Sequence, residues 1–165
     1  YYNSPQRQIR AFLLHCVRPA AEGGDNALLD PEIVYIRLRD RDPAHIRALM
    51  HSEAMTIPPN VVDGEELRPA STGPVFMSGE GGSLAMRYTD RKRSIQWRDD
   101  AVTTAAVAAL REVLAAEDTP VMRLRLESGW GVICNNALHT RTRFSDAGEP
   151  RLLYRGRYYD RIQGT

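Results

Sequence analysis

The 165-residue sequence is short of several things, and each shortage closes off a class of protein. It has one lysine, Lys92, so nearly all of its 22 basic residues are arginine. They are offset by 21 acidic residues, leaving a formal net charge of +1. No global positive field is therefore present to attract nucleic acid. No apolar run reaches the roughly 18 residues that a membrane-spanning helix needs, so no membrane partner is expected. Cysteine is scarce too: Cys16 and Cys134 are the pair, and neither stands in a Cys-x-x-Cys spacing, which excludes zinc ribbons and dithiol redox motifs. Both lie in apolar stretches and read as buried free thiols of a reducing, cytoplasmic compartment. No Ser/His/Asp arrangement stands out. The glycine-rich Ser78-Gly79-Glu80-Gly81-Gly82-Ser83 lacks the Lys-Ser/Thr ending of a phosphate loop and reads as a turn. Internal repeats and low-complexity segments are missing, and the length suits one domain.

What is present is a strand-rich pattern interrupted by helices. Residues 9–17 read as a mostly buried strand ending at Arg18-Pro19, followed by a glycine turn over 21–26. Asp30-Pro31 predicts a helix start, with Ile33, Val34, Ile36 and Leu38 on it, and Asp42-Pro43 predicts a second helix to about Met50. His45 is expected exposed on that helix. Four prolines within 56–74 (Pro58, Pro59, Pro69 and Pro74) predict an irregular loop or lid. Residues 75–77 and 84–89 flank the glycine turn as a hairpin. Asp99-Asp100 opens the clearest helix, about 99–116, with Val102, Ala105, Ala106, Ala109, Val113 and Ala116 spaced as an apolar face and Thr103 on the polar side. Strands are expected at 121–127, 130–134, 137–144 and 151–159. Strands at both ends with helices between them point to a mainly β barrel or jelly roll rather than alternating βαβ units.

The chemistry concentrates near the C-terminus. Cys134-Asn135-Asn136-Ala137-Leu138-His139-Thr140-Arg141-Thr142-Arg143-Phe144 precedes Arg151-Leu152-Leu153-Tyr154-Arg155. Arg151 and Arg155, four apart on a strand, share a face. If the two strands pair antiparallel with 139 opposite 155, His139 joins that face; a one-residue slip separates them. The arginines equally fit a solvated face with Leu152 and Tyr154 turned inward. Arg91-Lys92-Arg93-Ser94-Ile95-Gln96-Trp97-Arg98 mixes cations with an aromatic and reads as a solvated strand or loop.

The string Asn-Asn-Ala-Leu-His-x-Arg-Thr-x-Phe, followed by Pro-Arg-Leu-Leu-Tyr-Arg, resembles the C-terminal motif of the taurine dioxygenase (TauD/TfdA-type) superfamily. The likeness extends back to Arg18-Pro19-Ala20 and Gly23-Gly24-Asp25-Asn26. It implies a double-stranded β-helix (jelly roll) with helical insertions, Fe(II) as cofactor and 2-oxoglutarate as co-substrate. By resemblance, His139 is the distal iron ligand, Arg151 holds the far carboxylate of 2-oxoglutarate and Arg155 supports it. Asn26 replaces a threonine that helps bind the co-substrate, and Asn135 or Asn136 orients the ligand histidine. The family also needs a His-x-Asp/Glu pair, and the string His51-Ser52-Glu53 is too near His139 in sequence and at a helix end. Relatives often carry Gly-Tyr-Tyr-Asn after that pair, and this chain opens Tyr1-Tyr2-Asn3. The expectation is therefore a single oxygenase core, the C-terminal portion of a longer protein without its N-terminal part, with 56–98 as lid and substrate region. The implied activity is hydroxylation of a small, anionic or amino-acid-like molecule with release of succinate and CO2, in a monomer or homo-oligomer. The alternative is a jelly-roll binding module that has lost its metal.

Overall fold

The computed structural model describes residues 8–89, 95–135 and 137–163. Strands β1 (Ala11–Arg18), β2 (Glu22–Gly23) and β3 (Asn26–Leu29) open the chain, and helices α1 (Pro31–Arg41) and α2 (Pro43–Leu49) follow. Next come the short strands β4 (Met55–Ile57), β5 (Asn60–Val62), β6 (Glu65–Arg68), β7 (Ser71–Gly73), β8 (Phe76–Ser78), β9 (Leu84–Met86) and β10 (Gln96–Trp97). Helix α3 (Ala101–Ala115) precedes β11 (Met122–Leu124), β12 (Gly131–Cys134), β13 (Leu138–Arg141), β14 (Phe144–Ser145) and β15 (Leu152–Tyr158). These elements form two compact units, one built on Pro31–Thr119 and the other on Ile9–Asp30 with Pro120–Thr165.

In the Pro31–Thr119 unit, the helices share the core with Met55 and Ile57 of β4, Phe76 of β8 and Val75 just before it. Val34 and Leu38 of α1, Ile46 and Leu49 of α2 and Leu110 and Val113 of α3 are buried. Helix α2 starts as its sequence dictates: Asp42 accepts the Ala44 amide at 2.7 Å ahead of Pro43. His45, expected exposed, is half-buried. On α3 the buried stripe is Thr103, Ala106, Val107, Ala109, Leu110 and Val113, whereas Val102 is exposed, so the expected apolar face was rotated. Capping explains the shift. Asp100 accepts both the Thr103 amide and the Thr103 hydroxyl at 2.8 Å, and this satisfied hydroxyl is drawn inside, 1% exposed. The expected loop at 56–74 is instead a set of short strands. Its prolines fall between them, where no ladder amide is needed: Pro58-Pro59 between β4 and β5, Pro69 between β6 and β7, Pro74 after β7. The hairpin β8–β9 forms as expected, with Phe76 opposite Met86.

In this unit Arg87 is 3% exposed. Its guanidinium donates to the Met55 carbonyl at 3.2 Å, the Gly73 carbonyl at 3.4 Å, and the Ser71 carbonyl and hydroxyl. The charge is thus spread over backbone dipoles of β4 and β7, and burial lowers its pKa.

The second unit contains two antiparallel three-stranded sheets, ordered β12-β1-β15 and β11-β3-β13. Strand β3, which the sequence reading passed over as turn and helix lead-in, is the centre of the second sheet, and its four residues are buried. Hence Leu28-Leu29, read as preceding a helix, are strand residues. No helix among the described residues is long and apolar enough to cross a membrane.

Candidate active site

His139 lies on β13, which pairs with β3: Leu138 opposite Leu29, His139 opposite Leu28, Arg141 opposite Asn26. The direct pairing of its strand with the one carrying Arg155, which the sequence left open, does not occur. Strand β15 pairs with β1 instead, placing Arg155 opposite Leu14 and Arg157 opposite Phe12. The sheets that carry them meet through Phe12 of β1 and His139 of β13. Residues opposed in an antiparallel pair share a face, so Phe12, Leu14, Arg155 and Arg157 line one side of the first sheet. The His139 ring meets the buried Phe12 ring at 4.6 Å between centroids. Thus His139, with Asn26 and Arg141 on the same side of the second sheet, faces the side of the first that bears Arg155. The link between the two sheets at this point is the Phe12–His139 ring contact.

The His139 side chain is exposed, yet its ring is oriented. Nδ1 lies 3.1 Å from the Ala137 carbonyl, which can only accept, so this contact puts a proton on Nδ1 and leaves Nε2 as the nitrogen that could serve a metal. That is the tautomer a metal-binding histidine uses. Asn26 is 6% exposed and its Nδ2 donates to the Gly24 carbonyl at 3.4 Å.

Arg151 precedes β15 and is half-buried. Its guanidinium lies 5.2 Å from the centre of the Phe144 ring, and that of Arg141 lies 4.3 Å from the same ring. Burial, and then the neighbouring Arg141 charge, lower the Arg151 pKa. Among the described residues no carboxylate comes within ion-pair distance of Arg151. The Gly23-Gly24 turn makes this approach feasible. Both glycines have positive φ, +67° and +78°, and a Cβ on Gly23 would overlap the Arg143 carbonyl. The Gly24 amide donates to that carbonyl at 3.1 Å, while Phe144 pairs opposite Gly23. Cys16 is a fully buried free thiol whose pKa is pushed up by burial, against a smaller opposing effect of the Arg151 charge. Cys134 is free and half-buried.

The remaining expectations divide. Asn135 clasps the C-terminal segment, its Oδ1 accepting the Ile162 amide at 2.8 Å and its Nδ2 donating to the Ile162 carbonyl at 3.4 Å. Asn136, Tyr1-Tyr2-Asn3 and Arg91–Ser94 lie outside the described residues. His51 Nδ1 accepts the Glu53 amide at 3.1 Å in the turn after α2. Among the described residues no group of three His, Cys, Asp or Glu side chains is arranged to hold a metal ion. His139 therefore fits as one ligand, and the described residues of this chain do not complete an iron site. Sequence reasoning counted Arg141 among the arginines of a solvated face and gave Phe144 no role. The signal was available: His139 and Arg141, two apart on a strand, must share a side.

Residues 4–157 match the family model described as "Taurine catabolism dioxygenase TauD, TfdA family". The chain belongs to this family. Two curated relatives are each named uridine-5'-phosphate dioxygenase. The Streptomyces protein is 35% identical over 157 residues, covering 89% of this chain and 55% of that protein. The Amycolatopsis protein is 30% identical over 149 residues, covering 87% and 53%. This TauD/TfdA chain thus spans about half the length of the curated relatives it matches. Its fold is similar to that of the non-heme iron oxygenase OrfP in complex with Fe, with a TM-score of 0.63 at 18% identity over 94% of this chain and 48% of that one. It is also similar to an asparagine oxygenase solved with Fe(II), 3-hydroxyasparagine and succinate, with a TM-score of 0.59 at 22% identity over 91% and 45%.

Proposed function

We propose that the protein is an Fe(II)- and 2-oxoglutarate-dependent dioxygenase that hydroxylates a small anionic molecule and releases succinate and CO2. In this reading the two facing sheets are half of a double-stranded β-helix, of which the chain carries the C-terminal portion. His139 serves as one iron ligand through Nε2, and the other protein ligands come from outside the described residues. Arg151 binds the far carboxylate of 2-oxoglutarate, with Arg155 on the facing side and Asn26 beneath. The observation that carries the reading is Arg151. It is a half-buried guanidinium without a carboxylate partner among the described residues, held by Phe144 and the Gly23-Gly24 turn in the unit that also orients His139. A desolvated cation in such a place strengthens whatever anion it meets, and its fork matches a carboxylate.

The substrate class follows from the relatives rather than from pocket shape. Two proteins with 30% and 35% identity are named for uridine 5'-phosphate, so a nucleoside 5'-monophosphate is the first compound to offer. Amino acids, named with the structural neighbours, come second. The test is incubation of the full-length protein with Fe(II), ascorbate, 2-oxoglutarate and this panel, following succinate and oxygen together. Substrate-stimulated succinate formation coupled to a hydroxylated product supports the reading. Absence of succinate under every condition supports the metal-free binding module instead.

A further inference from the structure

We propose that Arg141 is a second co-substrate-binding residue, sharing the far carboxylate of 2-oxoglutarate with Arg151 at the Phe144 ring. The inference rests on the oxygenase reading above and extends it to a residue that reading does not use. Arg141 stands two positions from His139 on β13, hence on the same side of the strand, and directly opposite the buried Asn26. Its guanidinium packs at 4.3 Å on Phe144, the ring that also carries Arg151 at 5.2 Å. Arg141 therefore joins the histidine end of the site to the arginine end.

Two guanidiniums gathered on one ring repel each other. The ring face compensates each in part through its quadrupole. An acidic neighbour would compensate fully, yet among the described residues neither arginine forms an ion pair. Asp146 acts on Arg151 only from beyond that distance, as the weakest of the charges it feels. The arrangement is thus short of one anion. A carboxylate has about four acceptor sites on its two oxygens, enough to take N–H groups from both guanidiniums, so it relieves the repulsion while Phe144 keeps both planes oriented.

The test is calorimetric titration of the full-length protein with Fe(II) under anaerobic conditions, using two ligands. One is 2-oxoglutarate; the other is 2-oxopentanoate, which has a methyl group in place of the far carboxylate. Arg141→Met is expected to weaken 2-oxoglutarate about tenfold or more while leaving 2-oxopentanoate within about twofold, because the lost bonds are charge-assisted and belong to the far carboxylate. Arg141→Lys, which keeps the charge but not the planar fork, should fall between wild type and Arg141→Met. Unchanged 2-oxoglutarate affinity in Arg141→Met, alongside a loss in Arg151→Met, overturns the proposal and leaves the oxygenase reading standing. An equal loss for both ligands assigns Arg141 a merely structural role and also overturns it. Failure of the wild type to bind either keto acid removes the oxygenase reading itself and the proposal with it.

Discussion

In the Pro31–Thr119 unit the buried guanidinium of Arg87 is spent on the chain, whereas in the other unit that of Arg151 is left to a ring. Burial lowers both pKa values. Arg87 answers it with carbonyls of Met55, Gly73 and Ser71, which pin β4 and β7 under the start of the chain segment after β9. Arg151 stacks on Phe144 beside another cation. The same residue type thus reads as a structural staple in one place and as a waiting charge in the other. The two differ both in depth, Arg87 being buried and Arg151 half-buried, and in how many backbone acceptors surround the guanidinium.

The strongest way to break the comparison is to remove the staple. Arg87→Met strips donors from several buried carbonyls, and the expected loss is on the order of 3 kcal/mol in chemical denaturation. A near-neutral Arg87→Met would mean that the carbonyl cage contributes little and that the contrast with Arg151 is empty. Next, Arg151→Met should leave stability within about 1 kcal/mol, since only a partly exposed stacking contact is lost. Its 2-oxoglutarate affinity should fall by about one to two orders of magnitude in titration. The reverse pattern, a large stability loss with intact affinity, would make Arg151 a second staple. Smaller still is Gly24→Ala. At φ +78° an added Cβ sits 3.5 Å from the Arg151 Nε and 3.6 Å from the Ala20 Cβ. Left-handed strain of about 1 kcal/mol is expected, with a modest weakening of 2-oxoglutarate as Arg151 is nudged.

The smallest effect depends on pH. The Thr103 amide, then the Thr103 hydroxyl, hold the Asp100 carboxyl below the usual aspartate range. A depressed folded pKa stabilises above the unfolded value and is lost as pH falls through the folded one. Wild type should therefore melt above Asp100→Asn at neutral pH, and the gap should close once the pH drops below the ordinary aspartate range. A gap that stayed constant into acid would show that the cap works without its charge.

Local chemistry was legible in the sequence where one or two residues decide the outcome. Asp42-Pro43 starts α2, Asp100 starts α3, and the glycine-rich 78–83 stretch closes a hairpin. The motif around His139 was legible as well, because its residue types and spacing are specific. Long-range pairing was not. Nothing in 137–144 or 151–159 states that the first pairs with Asn26–Leu29 and the second with Ala11–Arg18, since alternation fixes a strand's faces but not its neighbour. Strand β3 was hidden because its four residues are all buried and so show no alternation beside a helix start. The short strands between prolines were hidden because proline marks boundaries and loops alike. On α3, the buried side was misread because Thr103 counts as polar until its hydroxyl is seen bonded to Asp100.

The most direct measurement is an anaerobic titration of the full-length protein with Fe(II) and 2-oxoglutarate, watched for the visible charge-transfer absorption of the keto-acid chelate. The band should rise in wild type, persist at higher 2-oxoglutarate in Arg151→Met, and vanish in His139→Ala. A wild-type solution that stays colourless, or a His139→Ala variant that gives the full band, would contradict the account.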